Sequence, residues 1–398
     1  MKRVLVTIGI IIPLIILGTI IAVLYGRGYR LNSDDPKGTL LSGTGLLVVT
    51  SSPDGARVYV NNRLMTATDD TINLKPGEYH VKIQKDGYFP WEKRVKIEKE
   101  VVTKAPAALY PIAPKLEALT LTGANKPVID PTGELIAYTV SSASANKNGL
   151  YILSMRSRPI IPSGGSISQL ARDTEGQFSV ADLMFSPNGK DLIATVSSEL
   201  TFQTYLFTGD EYNEGPLDIT NSLSTYTEDW ETQKTIKRKQ TITTLPKKLR
   251  PFAEKNFTGL EISPEENKLL YTASASAMIP PIKKNVPGGN TTPETRNILA
   301  GSIYVYDLKE DKNYLLWEKK GDATNPKFIW HPDSGHLMYI EGNTINMIEY
   351  DGRNKTTIYA GPFSSDFVYP WPDGSHLVIL TNLNIPGAPK NLYRISLR

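Results

Sequence analysis

The chain reads as an all-β protein: an N-terminal transmembrane helix, a small β-sandwich, then a five-bladed β-propeller with a helical insertion, six blades being the alternative. Three observations carry this. An uncharged apolar run opens the chain, a short stretch of alternating residues and close-set turns follows, and one turn–strand unit then recurs five times.

The repeat is the most informative feature. Its copies are Asp130-Pro131-Thr132-Gly133, Ser186-Pro187-Asn188-Gly189, Ser263-Pro264-Glu265-Glu266, His331-Pro332-Asp333-Ser334-Gly335 and Trp371-Pro372-Asp373-Gly374, each running into an apolar strand. Proline presets φ at the first corner, Asx caps its own backbone, and glycine accepts positive φ. The turn prolines stand 56, 77, 68 and 40 residues apart. Only the last spacing is near the ~40–45 of a four-stranded propeller blade, so it shows the unit without insertions. There Leu337–Ile340, Ile345–Tyr350 and Thr356–Ala360 follow the turn, and Phe367–Trp371 leads into the next. Third strands of the other units read at Leu150–Leu153, Thr204–Phe207, Ile303–Leu308 and Leu392–Leu397. The last unit ends before a fourth strand. Leu116–Thr122 is expected to supply it, since an open edge invites aggregation. A sixth blade would have to lie in the long gap between Pro187 and Pro264. The units resemble TolB-type and WD-like propeller repeats over residues 115–398, most closely at Ser186-Pro187-Asn188-Gly189-Lys190. That resemblance speaks to fold and not to function.

Val4–Tyr25 holds no charge across 22 positions, which as a helix reaches ~33 Å against a ~30 Å hydrocarbon core. A cleaved signal peptide competes, but the run is long and Ala22-Val23-Leu24-Tyr25 is a poor cleavage site. An anchor over 4–25 is therefore expected, with a tail at 1–3 in the cytoplasm and a polar spacer at 26–44. Lys2 and Arg3 on one side face Arg27, Arg30 and Lys37 on the other, so the count of basic residues leaves orientation open. A short tail with two cations favours the bulk of the chain outside the cytoplasm. Zero cysteines exclude disulfides, thiolate metal sites and a cysteine nucleophile. A net charge of +3 and a pI of about 8.6 are too mild for nucleic acid.

Residues 45–105 read as a compact β-sandwich. Leu46–Thr50 and Arg57–Val60 flank Pro53-Asp54-Gly55-Ala56, and Asn61-Asn62 is a hairpin tip. Turns at Lys75-Pro76-Gly77-Glu78 and Lys85-Asp86-Gly87-Tyr88 precede strands Tyr79–Gln84 and Arg94–Glu98. The segment resembles a PEGA domain. Pro53-Asp54-Gly55-Ala56 stands for the family's Pro-Glu-Gly-Ala turn, with Leu74-Lys75-Pro76-Gly77-Glu78-Tyr79, Asp86-Gly87-Tyr88 and Trp91 as later landmarks. The resemblance implies an extracytoplasmic module of the cell envelope and no catalytic residue. Tyr88 and Trp91 are read as buried landmarks, with a ligand platform as the alternative.

Two insertions interrupt the repeat, at 209–258 and 273–300. In the first, Gly209–Glu231 carries seven acids and no base, while 232–258 carries eight bases against Glu254. A capping box at Thr225 and Glu228 opens a predicted helix running to Leu245. Its candidate partner-binding residues are Trp230, Lys234, Lys237, Arg238, Lys239, Lys247, Lys248 and Arg250, a basic face for an anionic polymer or headgroups. Mutual neutralisation of the two halves on a solvated helix pair is the simpler reading, with Trp230 packing the arm onto the ring. The second insertion, rich in Pro, Gly and small polar residues, is expected to be a long surface loop.

No catalytic signature emerges. Gly164-Gly165-Ser166-Ile167-Ser168 lacks the closing glycine of a nucleophile elbow. The histidines are His80, His331, His336 and His376. His336 and His376, at one turn position in successive repeats, are expected to be exposed turn residues; metal ligation is the alternative. No phosphate loop, dinucleotide fingerprint or calcium loop is present. The expectation is thus a single-pass cell-membrane protein, extracytoplasmic in bulk, without cofactor or metal. It engages an envelope protein or cell-wall glycan without catalysis. A propeller-based polysaccharide hydrolase or lyase, with acids converging at the ring mouth, is the rival, and a cytoplasm-facing assembly platform the third reading.

Overall fold

The structure is a computed structural model of the 398-residue chain, and it describes residues 2–26, 29–31, 41–156, 165–197, 201–209, 211–283, 287–321 and 324–398. The first helix, Lys2–Gly26, contains Pro13. Its side chains at 11–23 are exposed, and among the described residues no helix is long and apolar enough to cross a membrane. The expected anchor therefore stands on sequence alone. Most of the polar spacer, 32–40, lies outside the described residues.

The chain divides into two compact units, residues 1–109 with 283–294, and residues 110–282 with 295–398. In the first, a three-stranded sheet sets Gly45–Ser52 between Asp70–Leu74 and Val102–Ala108. A four-stranded sheet runs Arg63–Ala67, Arg57–Val60, Gly77–Gln84 and Trp91–Ile97. Alternation does the folding: Val58 and Val60, Val81 and Ile83, Val95 and Ile97 all point into one core with Leu47, Val49 and Trp91. Tyr88 packs partly buried against it. Asn61 and Asn62 both take positive φ (48° and 66°), as a type I′ hairpin corner requires. Val102–Ala108 pairs in parallel with Gly45–Ser52 and extends past residue 105.

The second unit holds five four-stranded antiparallel sheets among the described residues. In chain order they begin with Asn125–Ile129, Asp182–Phe185, Phe257–Ile262, Phe328–Trp330 and Val368–Pro370, the strands that lead into the five turns. Both faces of a second strand are buried, so its residues alternate between two cores. Leu135 and Ala137 join Leu192 and Ala194 of the next sheet, while Ile136 and Tyr138 join Val378 and Leu380 of the last. Leu116–Ala118 completes the fifth sheet by pairing with Asn391–Ser396. Thr120 and Gly123 then bind the Asn391 carboxamide oxygen, at 3.0 and 2.9 Å. Arg394 grips Glu117 across the seam with Nε and Nη2 at 2.8 and 2.6 Å.

The gap between Pro187 and Pro264 holds Leu217–Asp218, which completes the second sheet, and then helices Leu223–Thr244 and Arg250–Asn256. The arm helix starts two residues before the expected capping box. Ser222 is its N-cap and makes no side-chain cap bond, and the Thr227 hydroxyl bonds back to the Leu223 and Ser224 carbonyls instead. The second insertion is not only loop. Ala277–Met278 pairs with Asn297–Ile298, burying Ile279 and Ile298 in the third sheet's core. Lys283–Glu294 belongs to the first unit, where the Thr291 hydroxyl bonds the Arg94 carbonyl.

Candidate functional site

A cavity of about 550 Å3 opens where the leading strands run into their turns. Its wall draws on four of the five sheets: residues 129–134, 261–264 with 266, 329–330 with 332, and 369–370 with 372. Four acids lie on this wall. Asp130 is buried, and both of its carboxylate oxygens cap its own turn. Oδ1 accepts from the Glu134 and Leu135 amides at 2.8 and 2.7 Å, and Oδ2 from the Thr132 amide at 3.0 Å. Glu134 pairs with Arg156 at 2.7 Å. Glu261 and Glu266 remain for a ligand. Glu261 is reached by water yet walled in by protein, and that burial pushes its carboxyl up, with Lys327 and Lys237 opposing. Trp330 donates its indole N–H to the Glu261 carbonyl at 3.3 Å. The Lys327 ammonium lies 5.4 Å from the Tyr369 ring centroid and 3.4 Å from its hydroxyl. A carboxyl whose ionisation burial disfavours, an aromatic wall and a nearby ammonium make a receptor for a small polar chain.

Glu261 was not singled out by the sequence reading, although a signal existed. The residue three before each turn proline is Val128, Met184, Glu261, Ile329 or Tyr369. One charge stands in a frame otherwise apolar or aromatic.

The arm residues scatter. Trp230 is not a surface residue. At 4 % exposure it packs with Ile193 and Ile219, because indole area on a mostly polar helix is what fastens the helix to the sheet. Arg250 is half-buried and donates to the Thr243 and Leu245 carbonyls, closing the arm helix C-terminus. Lys234 pairs with Glu231 at 2.6 Å. Lys237, Arg238, Lys239, Lys247 and Lys248 are exposed. Of these, Lys237 is close enough to Glu261 to act on its carboxyl.

The histidine expectation needs correction. His331 is buried and His336 largely so, because neighbouring turns close over them. The His331 Nε2 donates to the Gly374 carbonyl of the next turn at 3.0 Å, and its Nδ1 lies 3.1 Å from Asp333 Oδ2. His336 Nδ1 lies 2.8 Å from the same oxygen. Burial disfavours charge on Asp333, yet the hydrogen bonds from both rings hold its carboxyl far below the usual carboxylate range. Burial likewise opposes protonation of His336, but Asp333, with Glu349 and Asp351 behind it, outweighs this and raises the imidazole. His80, in the first unit, faces Glu92 at 3.3 Å.

Residues 44–112 match the PEGA domain family. No curated protein matches the chain. Among solved structures, the chain is similar to a putative TolB from Agrobacterium tumefaciens (14% identity, TM-score 0.21, covering 70% of this chain and 74% of that one). It is also similar to TolB from Acinetobacter baumannii (12%, TM-score 0.23, 80% and 59%) and to an acylaminoacyl peptidase from Pyrococcus horikoshii (11%, TM-score 0.21, 69% and 39%). Likenesses at this level carry nothing about activity. Residues 44–112 are a PEGA domain, and the second unit repeats a four-stranded antiparallel sheet five times among the described residues, each sheet with one of the repeated proline turns.

Proposed function

We propose that the chain is a non-catalytic scaffold of the cell envelope. The run at Val4–Tyr25 holds it to the membrane, and it receives an envelope protein or glycan in the cavity of a five-bladed ring. The observation that carries this reading is the PEGA domain at 44–112, which lies a short polar spacer downstream of an uncharged 22-residue run. The test is protease treatment of intact cells carrying a C-terminal tag. Loss of the tag with a cytoplasmic control protected is the expected result. Protection that survives selective outer-membrane permeabilisation and ends only on lysis puts the ring in the cytoplasm. That result overturns the envelope reading in favour of an assembly platform. Co-sedimentation of the full chain with envelope fractions addresses binding, and Tyr369→Ala should weaken it if the cavity is the receptor.

The cavity wall favours a second reading, a polysaccharide hydrolase or lyase, because carboxyls and aromatics meet at one mouth. Two-carboxylate glycosidase chemistry needs an acid and a base or nucleophile. With Asp130 and Glu134 engaged, Glu261 and Glu266 would have to fill both roles. Release of reducing or unsaturated sugar ends from envelope polysaccharide, abolished by Glu261→Gln, would establish this reading and remove the scaffold.

A further inference from the structure

We propose that His331, Asp333 and His336 form a binding site for one divalent metal ion of the zinc class. It involves neither the cavity nor the envelope reading. The three ligand atoms lie within 4.8 Å of one another. Asp333 Oδ2 is 3.1 Å from His331 Nδ1 and 2.8 Å from His336 Nδ1. Ligands at the ~2.0–2.1 Å of a tetrahedral zinc centre stand roughly 3.3 Å apart, so small side-chain adjustments admit an ion.

Three features make this more than a close cluster. First, a carbonyl accepts hydrogen bonds and never donates, so the Gly374 carbonyl at 3.0 Å requires a proton on His331 Nε2. Its Nδ1 then lies between the Asp333 amide, which donates to it at 3.4 Å, and Asp333 Oδ2 at 3.1 Å, so an ion can take the place of a proton between ring and carboxylate. A carbonyl bonded to the remote nitrogen is the arrangement that fixes a ligating imidazole. Second, Asp333 Oδ1 is held by the Gly335 and His336 amides at 2.8 and 3.0 Å, which aims Oδ2 at the two rings. Third, the surroundings favour positive charge. Glu349 is the cross-strand partner of His336, and both Glu349 and Asp351 are buried. The Tyr110 ring stands edge-on to His336, centroids 6.0 Å apart, with a buried hydroxyl that has no hydrogen-bond partner among the described residues. Two imidazoles and one carboxylate suit Zn2+ or Co2+ better than Mg2+ or Ca2+, and leave a fourth position for water or an external ligand.

The test is Co2+ titration of the untagged, detergent-solubilised full chain, stripped beforehand with chelator. The expected result is a visible absorption band of four-coordinate intensity that saturates at one ion per chain. Zn2+ should displace it and raise Tm by several degrees. His336→Gln should weaken binding beyond the ~10–100-fold typical of losing an outer-shell partner, while His376→Gln, at the same position of the next turn, leaves it unchanged. Absence of the band, with Tm unmoved by either ion in the wild-type chain, overturns the proposal without reliance on any variant. A band that survives both His336→Gln and His331→Gln also overturns it, marking adventitious binding elsewhere.

Discussion

The fourth and fifth turns have nearly the same sequence frame and opposite electrostatics. Pro332-Asp333-Ser334-Gly335-His336 and Pro372-Asp373-Gly374-Ser375-His376 differ by exchange of serine and glycine at two central positions. In the fifth turn the Ser375 amide and hydroxyl both bind Asp373 Oδ1, and the hydroxyl also meets His376 Nδ1 at 2.6 Å. A serine therefore stands between acid and imidazole. In the fourth, Gly335 offers no side chain, so Asp333 meets His336 directly. The outcome is that His336 is raised, whereas burial and Arg394 lower His376 against the pull of Asp373 and Glu117. The two copies share a turn frame, but acid and imidazole meet directly in one and across a serine hydroxyl in the other.

The largest break in this comparison should come from Asp333→Asn. It removes the charge shared by two imidazoles and weakens the turn cap, at about 2 kcal/mol once its partial exposure is allowed for. Asp373→Asn, at an exposed position, should cost less than about 1 kcal/mol. Urea unfolding of the two variants side by side gives the difference, and equal losses would refute the coupling. Next comes Gly374→Ala, at about 1–2 kcal/mol. Its φ is +69°, and a Cβ there would sit 2.7 Å from His331 Cε1. Gly335→Ala should be within ~0.5 kcal/mol of neutral, since its φ is ordinary and the nearest atom to a new Cβ is 3.5 Å away.

The pH dependence sharpens the contrast. For His336, whose folded value is raised, the stabilisation is fully present below the unfolded value of ~6.5 and is lost as pH rises through the folded value. For His376, lowered in the fold, stability is full above ~6.5 and falls as pH drops from there through the folded value. Imidazole NMR titration of the metal-free chain should find the two on opposite sides of 6.5. Gly335→Ser should bring His336 down towards His376 by inserting the missing hydroxyl. Unchanged titration in that variant would show that surrounding acids, not the serine, set the difference.

Much of this fold was legible because its signals are local. A proline turn marks the end of each leading strand, and Asn61-Asn62 announces its hairpin. The unpaired third strand at Leu392–Leu397 required a partner from elsewhere, and Leu116–Ala118 supplies it. The sites were less legible because they arise between repeats. Nothing near His331 in sequence reveals that Gly374, 43 residues on, would bond its ring. Nor does the position of Glu261 reveal that Trp330 and Tyr369 share its cavity. Trp230 was read both as anchor and as partner residue, and only packing against Ile193 and Ile219 decides for the anchor. Glycine takes the left-handed corner in three of the turns, while Glu266 and Ser334 occupy it in the other two with φ of 54° and 55°.

Those two corners give the smallest and most discriminating test. A non-glycine residue in this region costs ~1–2 kcal/mol, while glycine loses ~0.5–1 kcal/mol more chain entropy on folding. Relief of strain should narrowly win at Glu266, whose side chain is exposed, so Glu266→Gly should stabilise by about 0.5 kcal/mol. Ser334 is buried, and its hydroxyl accepts the Glu265 amide at 2.9 Å, joining the third turn to the fourth. Losing that bond costs about 1 kcal/mol, so Ser334→Gly should come out destabilising. Opposite signs from thermal unfolding would mean that the serine is retained for its link between turns. Matching signs would mean that backbone strain alone governs both corners.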